Sequence, residues 1–173
     1  MATGSYPLPA WAWTAADGTA GNAAPAAILV KGTQTPAAFY RAWSFDPGTD
    51  ERLFTTFIVP VNYASGGTLL INWQTNDTGA TENPIWSAQV SCVTPADTDT
   101  PNEHAFSTAA TDNDVANSTE ANRLIQSSIA LNMDSAAAGD LMTIHFSRDA
   151  DNGSDDLSSD AVMIACEFQF TTT

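Results

Sequence analysis

The chain is short of basic residues: Lys31 is its single lysine, and four arginines join it against fifteen Asp and five Glu, for a formal net charge of -15 over 173 residues. Affinity for a phosphate backbone comes mostly from Lys and Arg, so this deficit excludes nucleic acid as a partner. Histidine is nearly absent too, with only His104 and His145 to serve as imidazole bases. The chain contains no Gly-x-Ser-x-Gly elbow, no phosphate-binding glycine loop and no His-Glu-x-x-His pair, and the reading is of a protein that is not an enzyme. No apolar run approaches the roughly 18 residues of a membrane-spanning helix, so no membrane association is expected. No basic leader precedes an apolar stretch, and the expectation is a soluble, leaderless chain.

Cysteine is equally sparse. Cys92 and Cys166 each fall in phase with the apolar residues of a strand, Trp86, Ala88 and Val90 in one case and Ile164 and Phe168 in the other. Two buried thiols behaving as small hydrophobes are one reading; a single disulfide between neighbouring strands is the other. Amphipathic helical periodicity over ten or more residues is also missing.

What the chain does have is alternation. Met142, Ile144 and Phe146 form one period-two set; Val162, Ile164, Cys166, Phe168 and Phe170 form another. This is the mark of strands with one buried face. Strands are predicted over 39–46, 53–59, 68–73, 85–94, 123–131, 140–148 and 160–171, with an eighth around His104 to Thr108. Turn clusters separate them, notably Asp46-Pro47-Gly48 and the stretch from Pro60 to Gly67. Seven or eight strands without helical crossovers point to an all-β, antiparallel, jelly-roll-like β-sandwich. Its domain is expected at 39–173. Residues 1–38, rich in Ala, Pro, Gly and Thr, read as an extended N-terminal arm with one short strand at Ile28–Val30.

Three features carry functional expectations. In the arm, Tyr6, Trp11 and Trp13 offer large apolar contacts; Trp11 and Trp13, two apart, face one side of an extended chain and would grip a partner or a sugar ring. Between the last two strands, Asp149, Asp151 and Asp155 place carboxylates around Gly153 in the alternating pattern a calcium ion accepts, with Asp156 and Asp160 nearby. The plainer reading is a hairpin turn whose Asp, Asn and Gly satisfy backbone groups, needing no cofactor. The strand at 53–59 is apolar on both sides (Leu53, Phe57 and Val59 against Phe54 and Ile58), which fits contact with a neighbouring subunit or cover by the chain's own loops. His145, alternating with buried residues, is expected on a wet face, and His104 beside Glu103 has no evident metal partners. The long segment from Pro95 to Glu120, with Asp97, Asp99, Asp112 and Asp114, reads as an interaction loop.

Several short phrases carry a resemblance: Phe45-Asp46 to Asp50-Glu51 to Phe54, Pro60-x-Asn62-Tyr63, Ala88-Gln89-Val90 to Thr94-Pro95, Ala138-Gly139-Asp140, and Ser147 to Asn152. Over about residues 40–171 the chain resembles tailed-phage and environmental-virus structural proteins. The resemblance implies a virion protein acting through protein–protein contacts, as a capsid decoration (cement), fibre or tail-appendage subunit. It further implies a self-associating β-sandwich, here expected as a homo-oligomeric trimer bound to other virion proteins, and it carries over no catalytic residue. The arm does not match the pattern well. The alternative function is a carbohydrate-binding or host-receptor-binding module using exposed Trp and the acidic loops.

Overall fold

The computed structural model describes residues 2–79, 81–112 and 119–173; Asp114, in the long loop, falls outside them. The described residues form eleven strands: β1 (Thr3–Pro9), β2 (Thr14–Ala15), β3 (Ala26–Lys31), β4 (Phe39–Phe45), β5 (Glu51–Ile58), β6 (Tyr63–Gln74), β7 (Trp86–Val93), β8 (Ala110–Asp112), β9 (Ile125–Ala130), β10 (Leu141–Arg148) and β11 (Ala161–Thr172). Among the described residues the only helical element is a single 3₁₀ turn at Ala10–Ala12.

The last eight strands pair as a nested set, all antiparallel: β4 with β11, β5 with β10, β6 with β9 and β7 with β8. A long hairpin folded over itself gives this pattern. Two further ladders, β11 to β6 and β10 to β7, knit the pairs into two sheets ordered β4-β11-β6-β9 and β5-β10-β7-β8. That is the jelly-roll sandwich, as the strand alternation predicts. The inward sets Leu69, Ile71, Trp73 and Trp86, Ala88, Val90 meet Ile144, Phe146, Met163 and Phe168 in one core. Cys92 and Cys166 are free and buried there; burial pushes the Cys92 thiol up to about 12 and raises that of Cys166 further.

The expected arm is not an arm. β1 pairs with β11 from Thr3↔Thr171 to Pro9↔Ala165, continuing the edge that β4 leaves free after Met163. β2 pairs with β5, and β3 extends the first sheet beyond β4. Leu8, Ala10 and Trp13 lie in the core. Pro7, Pro9 and Ala10 hide the alternation that would have marked β1 as a strand, and its pairing edge on β11 lies more than 150 residues away.

Two predicted boundaries also shift. The segment Pro60–Gly67 was expected to be all turn, yet only its start is: Tyr63 N–H donates to Pro60 O at 2.9 Å and strand begins there. The glycines permit this, since Gly66 has φ +68° and a Cβ on Gly67 would overlap Met133 Sδ. The eighth strand lies at Ala110–Asp112 rather than His104–Thr108. Ser107 does reach β7, its N–H donating to Val90 O at 2.8 Å and its Oγ accepting from Val90 N–H at 3.1 Å, but as an irregular loop contact.

Candidate functional site

The cross-strand register shows how the first sheet builds two faces. Ala27, Trp43, Met163 and Trp73 stand side by side across β3, β4, β11 and β6. Trp73 and Met163 are core residues, but the facing sheet ends at the two-residue β2, and toward β3 the same row loses its cover. Trp43 is half-buried and Ala27 exposed. Their neighbours Leu29 and Arg41, paired across the ribbon, are exposed as well.

Against this uncovered face sits the 3₁₀ turn. Trp43 Nε1–H donates to Ala10 O at 2.8 Å, fixing turn to ribbon. Between them runs a cleft of about 410 Å³, lined by Trp11, Trp13, Ala27, Leu29, Arg41 and Trp43 among others. Trp11 is 77% exposed, the most exposed of the five tryptophans, and Leu29 is 63% exposed. Among the described residues no carboxylate lines the cleft and Arg41 makes no ion pair. Chemically it offers an indole face, an aliphatic wall and a guanidinium with free donors.

The predicted aromatic trio is therefore divided. Trp13, at 4% exposure, donates its Nε1–H to Leu8 O at 3.3 Å and packs on Phe146, so it is a core residue and not a partner contact. The 3₁₀ turn breaks the extended alternation that would have put it beside Trp11. Tyr6 stacks on Phe57 with ring centroids 4.8 Å apart, closing the open end of the core, and remains only partly exposed. Of the trio, Trp11 at 77% and Tyr6 at 37% reach the surface, and Trp13 does not.

The predicted cation set is divided too. Asp155 is committed to Arg148, a fully buried guanidinium whose Nε and Nη2 donate to the two carboxylate oxygens at 2.8 and 2.7 Å. It also accepts from Ile85 N–H at 3.0 Å. Asp50, from the turn before β5, takes its place beside Asp149 and Asp151, the three offering oxygens within 4.8 Å of one another. Asp50 accepts from Ala150 N–H at 2.8 Å. Like charge from Asp50 and a hydrogen bond to Asp149 hold Asp151 above the usual carboxylate range. Asp156 and Asp160 turn to Asn83 N–H and Ser44 Oγ.

Both histidines have structural surroundings. His104 bridges Asp99 and Asp134 at 3.1 and 2.9 Å, and Asp134 also accepts from Cys92 N–H, so the imidazole clamps the long loop to β7. His145 is half-buried, not wet: it stacks on Phe54 at 5.1 Å and lies 5.9 Å from Phe106 of that loop. Its Nδ1–H donates to Gln89 Oε1 at 3.0 Å, and burial lowers its pKa to about 4. The same loop covers Phe54, whose ring lies 6.3 Å from Phe106. Of the two readings of strand 53–59, cover by the chain's own loop holds for Phe54; Ile58 stays exposed.

No protein-family model and no curated protein matches this chain. Among solved structures, an exo-β-1,3-galactanase from Phanerochaete chrysosporium, solved with galactose, aligns over 97% of this chain with a TM-score of 0.53 and 11% identity. The chain spans 29% of that enzyme. A family 35 carbohydrate-binding module from Clostridium thermocellum aligns over 95% of this chain and 97% of its own, with a TM-score of 0.48 and 10% identity. The enzymatically active domain of tailspike protein 4 of bacteriophage CBA120 aligns over 90% of this chain and 19% of its own, with a TM-score of 0.40 and 10% identity. These likenesses concern the sandwich alone.

Proposed function

We propose that this domain is a carbohydrate-binding module that holds a saccharide in the cleft beneath Trp11 without cleaving it. The observation that carries the reading is Trp11 itself, a large aromatic left 77% exposed on a turn that Trp43 anchors. A free indole face over a groove stacks on the C–H face of a pyranose, while Arg41 donates to its hydroxyl or carboxylate oxygens. Glycoside hydrolysis needs two carboxyl groups flanking the bond, and the cleft lining holds neither. The sandwich it shares with part of the galactanase chain supports the reading as a scaffold only.

The test uses the unequal exposure of the tryptophans. Trp13, Trp73 and Trp86 are buried, so saccharide binding at the cleft should quench or shift emission chiefly from Trp11 and the half-buried Trp43. A panel of soluble polysaccharides is titrated against the native chain and Trp11→Ala. An aromatic anchor of this kind is worth about 2 kcal/mol or more, roughly thirtyfold in Kd. Equal binding by both proteins would defeat the assignment.

A second reading, a virion decoration or appendage subunit, has one observation in its favour. Strand β3 is an uncovered edge with the apolar run Ala26 to Val30, and Leu29 and Phe39 are exposed along its ribbon. Edges of this kind pair with other chains unless guarded, and a homo-oligomer such as a trimer would use it. Light scattering at micromolar concentration decides this: a monomer that persists at every concentration counts against the subunit reading and leaves the cleft reading untouched.

A further inference from the structure

The opposite face of the β3–β4 ribbon holds a second groove, of about 580 Å³, a size typical of small-molecule sites. Its floor is the register row behind the core row: Ser44, Val162 and Gln74 stand side by side on β4, β11 and β6. Asn76, Asn122 and Asp160 stand around it, and β3 forms the apolar wall with Ile28 and Val30. Ile28 and Leu29 line both grooves, so the strand is a partition between them.

Gln74 is the informative residue. Its side chain is about nine-tenths buried. Its Oε1 accepts from Tyr40 Oη–H at 3.1 Å, which fixes the amide and turns its Nε2 donors to the groove. Those donors have no acceptor among the described residues, and Nε2 is not sealed from solvent. Burying a primary amide without giving its donors a partner is unfavourable; here they are aimed at the groove interior. The carboxamides of Asn76 and Asn122 likewise make no hydrogen bond among the described residues. Asp160 keeps one oxygen on Ser44 Oγ at 2.8 Å, and the other is open to accept.

We propose that this groove is a second binding site, specific for a neutral polyhydroxylated ring such as an uncharged hexose unit. Its ligand class rests on the saccharide reading above, but its residues are independent of Trp11. Fixed amide donors and a carboxylate acceptor match vicinal hydroxyls, which both donate and accept. The aliphatic wall of Ile28, Val30 and Val162 suits the C–H face of the ring. Asp160 stands at the rim with no basic residue in the lining, so a uronate or phosphate is repelled. The Trp11 cleft has the reverse character, with Arg41 and no acid. The ribbon thus separates a cleft that tolerates acidic sugars from a groove that rejects them.

Side-chain amide resonances of Gln74, Asn76 and Asn122, followed by NMR on the intact chain, report this groove and not the cleft. Galactose, glucose and mannose are titrated separately, with galacturonate as the charged control. The expected result is a saturable shift of the Gln74 and Asn122 amides with at least one neutral hexose, none with galacturonate, and the same shift in Trp11→Ala. The double variant Asn76→Ala/Asn122→Gly should weaken it at least fivefold, the ratio one neutral hydrogen bond carries. Both positions are exposed, and glycine suits the positive φ of 61° at Asn122, so folding is preserved. Gln74→Leu, checked by its melt, should abolish the shift of the Asn122 amide, as the double variant is read on the Gln74 amide. Amides that stay still with all three hexoses, or that respond equally to galacturonate, overturn the second site. If the shift disappears in Trp11→Ala, the grooves form one site and the independence is wrong. Tryptophan emission that fails to respond to polysaccharide while the amides shift removes the cleft reading alone.

Discussion

Replacing Asp155 with Asn tests whether the acidic turn is a structural buttress. The substitution keeps size and shape but withdraws the negative charge that faces Arg148. That guanidinium is fully buried and donates to Asp155 at 2.7 and 2.8 Å, to Ser159 O at 3.0 Å, to Phe45 O at 3.3 Å and to Leu157 O. Three carbonyls satisfy its protons, and Asp155 is the one carboxylate in ion-pair contact with it among the described residues. Removing one partner of a buried pair costs about 3–5 kcal/mol, because the other charge remains buried. In a domain of this size each kcal/mol moves the melting temperature by about 2–4 °C. Asp155→Asn should therefore melt roughly 6–20 °C below the native chain.

Calcium separates this account from a metal site. With Asp155 withdrawn to Arg148, the remaining set is Asp50, Asp149 and Asp151, three carboxylates where calcium takes six to eight oxygens. Thermal melts in chelator and in millimolar calcium should coincide for the native chain. A separation of several degrees, abolished by Asp151→Asn, would overturn the buttress account in favour of a cation site. So would an Asp155→Asn variant that melts with the native protein.

Three further outcomes follow from the fold. A chain beginning at Pro36 lacks β1, β2 and β3, strips Leu8 and Trp13 from the core and leaves one edge of β11 unpaired from Ala165 to Thr171, the other staying on β6; since Trp13 alone is worth about 3–5 kcal/mol against a total of about 5–15, it should show no cooperative melt, and a native-like melt would return residues 1–38 to the status of an arm. His145 has a folded pKa lowered from 6.5 to about 4 by burial, so the unfolded state binds more protons across that window. Its stabilisation is full above pH 6.5 and is lost as pH falls toward 4, by roughly 2 kcal/mol for a group partly open to solvent; denaturant midpoints of His145→Gln should lose that slope, and an unchanged slope would show that other groups carry it. Asp151, raised by Asp50, has the opposite sign: the folded state holds the extra proton, repulsion appears as pH rises through its folded value, and Asp151→Asn should therefore raise the melting temperature at neutral pH but not at pH 3.

The sandwich was legible because period-two alternation is local and strong. Met142 to Phe146 and Val162 to Phe170 each declare a buried face within a few residues, and pairing them needs only the count of strands. β1 was not, for the converse reason: seven residues with two prolines carry no alternation, and what makes them a strand is the edge of β11 that β4 leaves open. Trp13 reads the same in sequence as Trp11. Only the 3₁₀ turn that carries Trp11 sends Trp13 inward to Phe146 and leaves Trp11 outside.

The binding surfaces were illegible for a related reason. Asp149, Asp151 and Asp155 look equivalent in a turn, but Arg148 at the end of β10 selects one of them, and Asp50, about a hundred residues earlier, joins the other two. Charge alone could not choose between these arrangements, because the chain is acidic throughout. In the ribbon, Arg41, Trp43 and Ser44 look like ordinary alternation. Whether the row of Trp43 is core or cleft depends on how far the opposite sheet extends, and that is set by β2, two residues long. Where cover ends, a row that is buried in β6 and β11 is half-buried in β4 and exposed in β3. The shortness of that strand goes with a half-buried Trp43 beside the cleft, so the extent of the facing sheet shapes the cleft as much as Trp11 does.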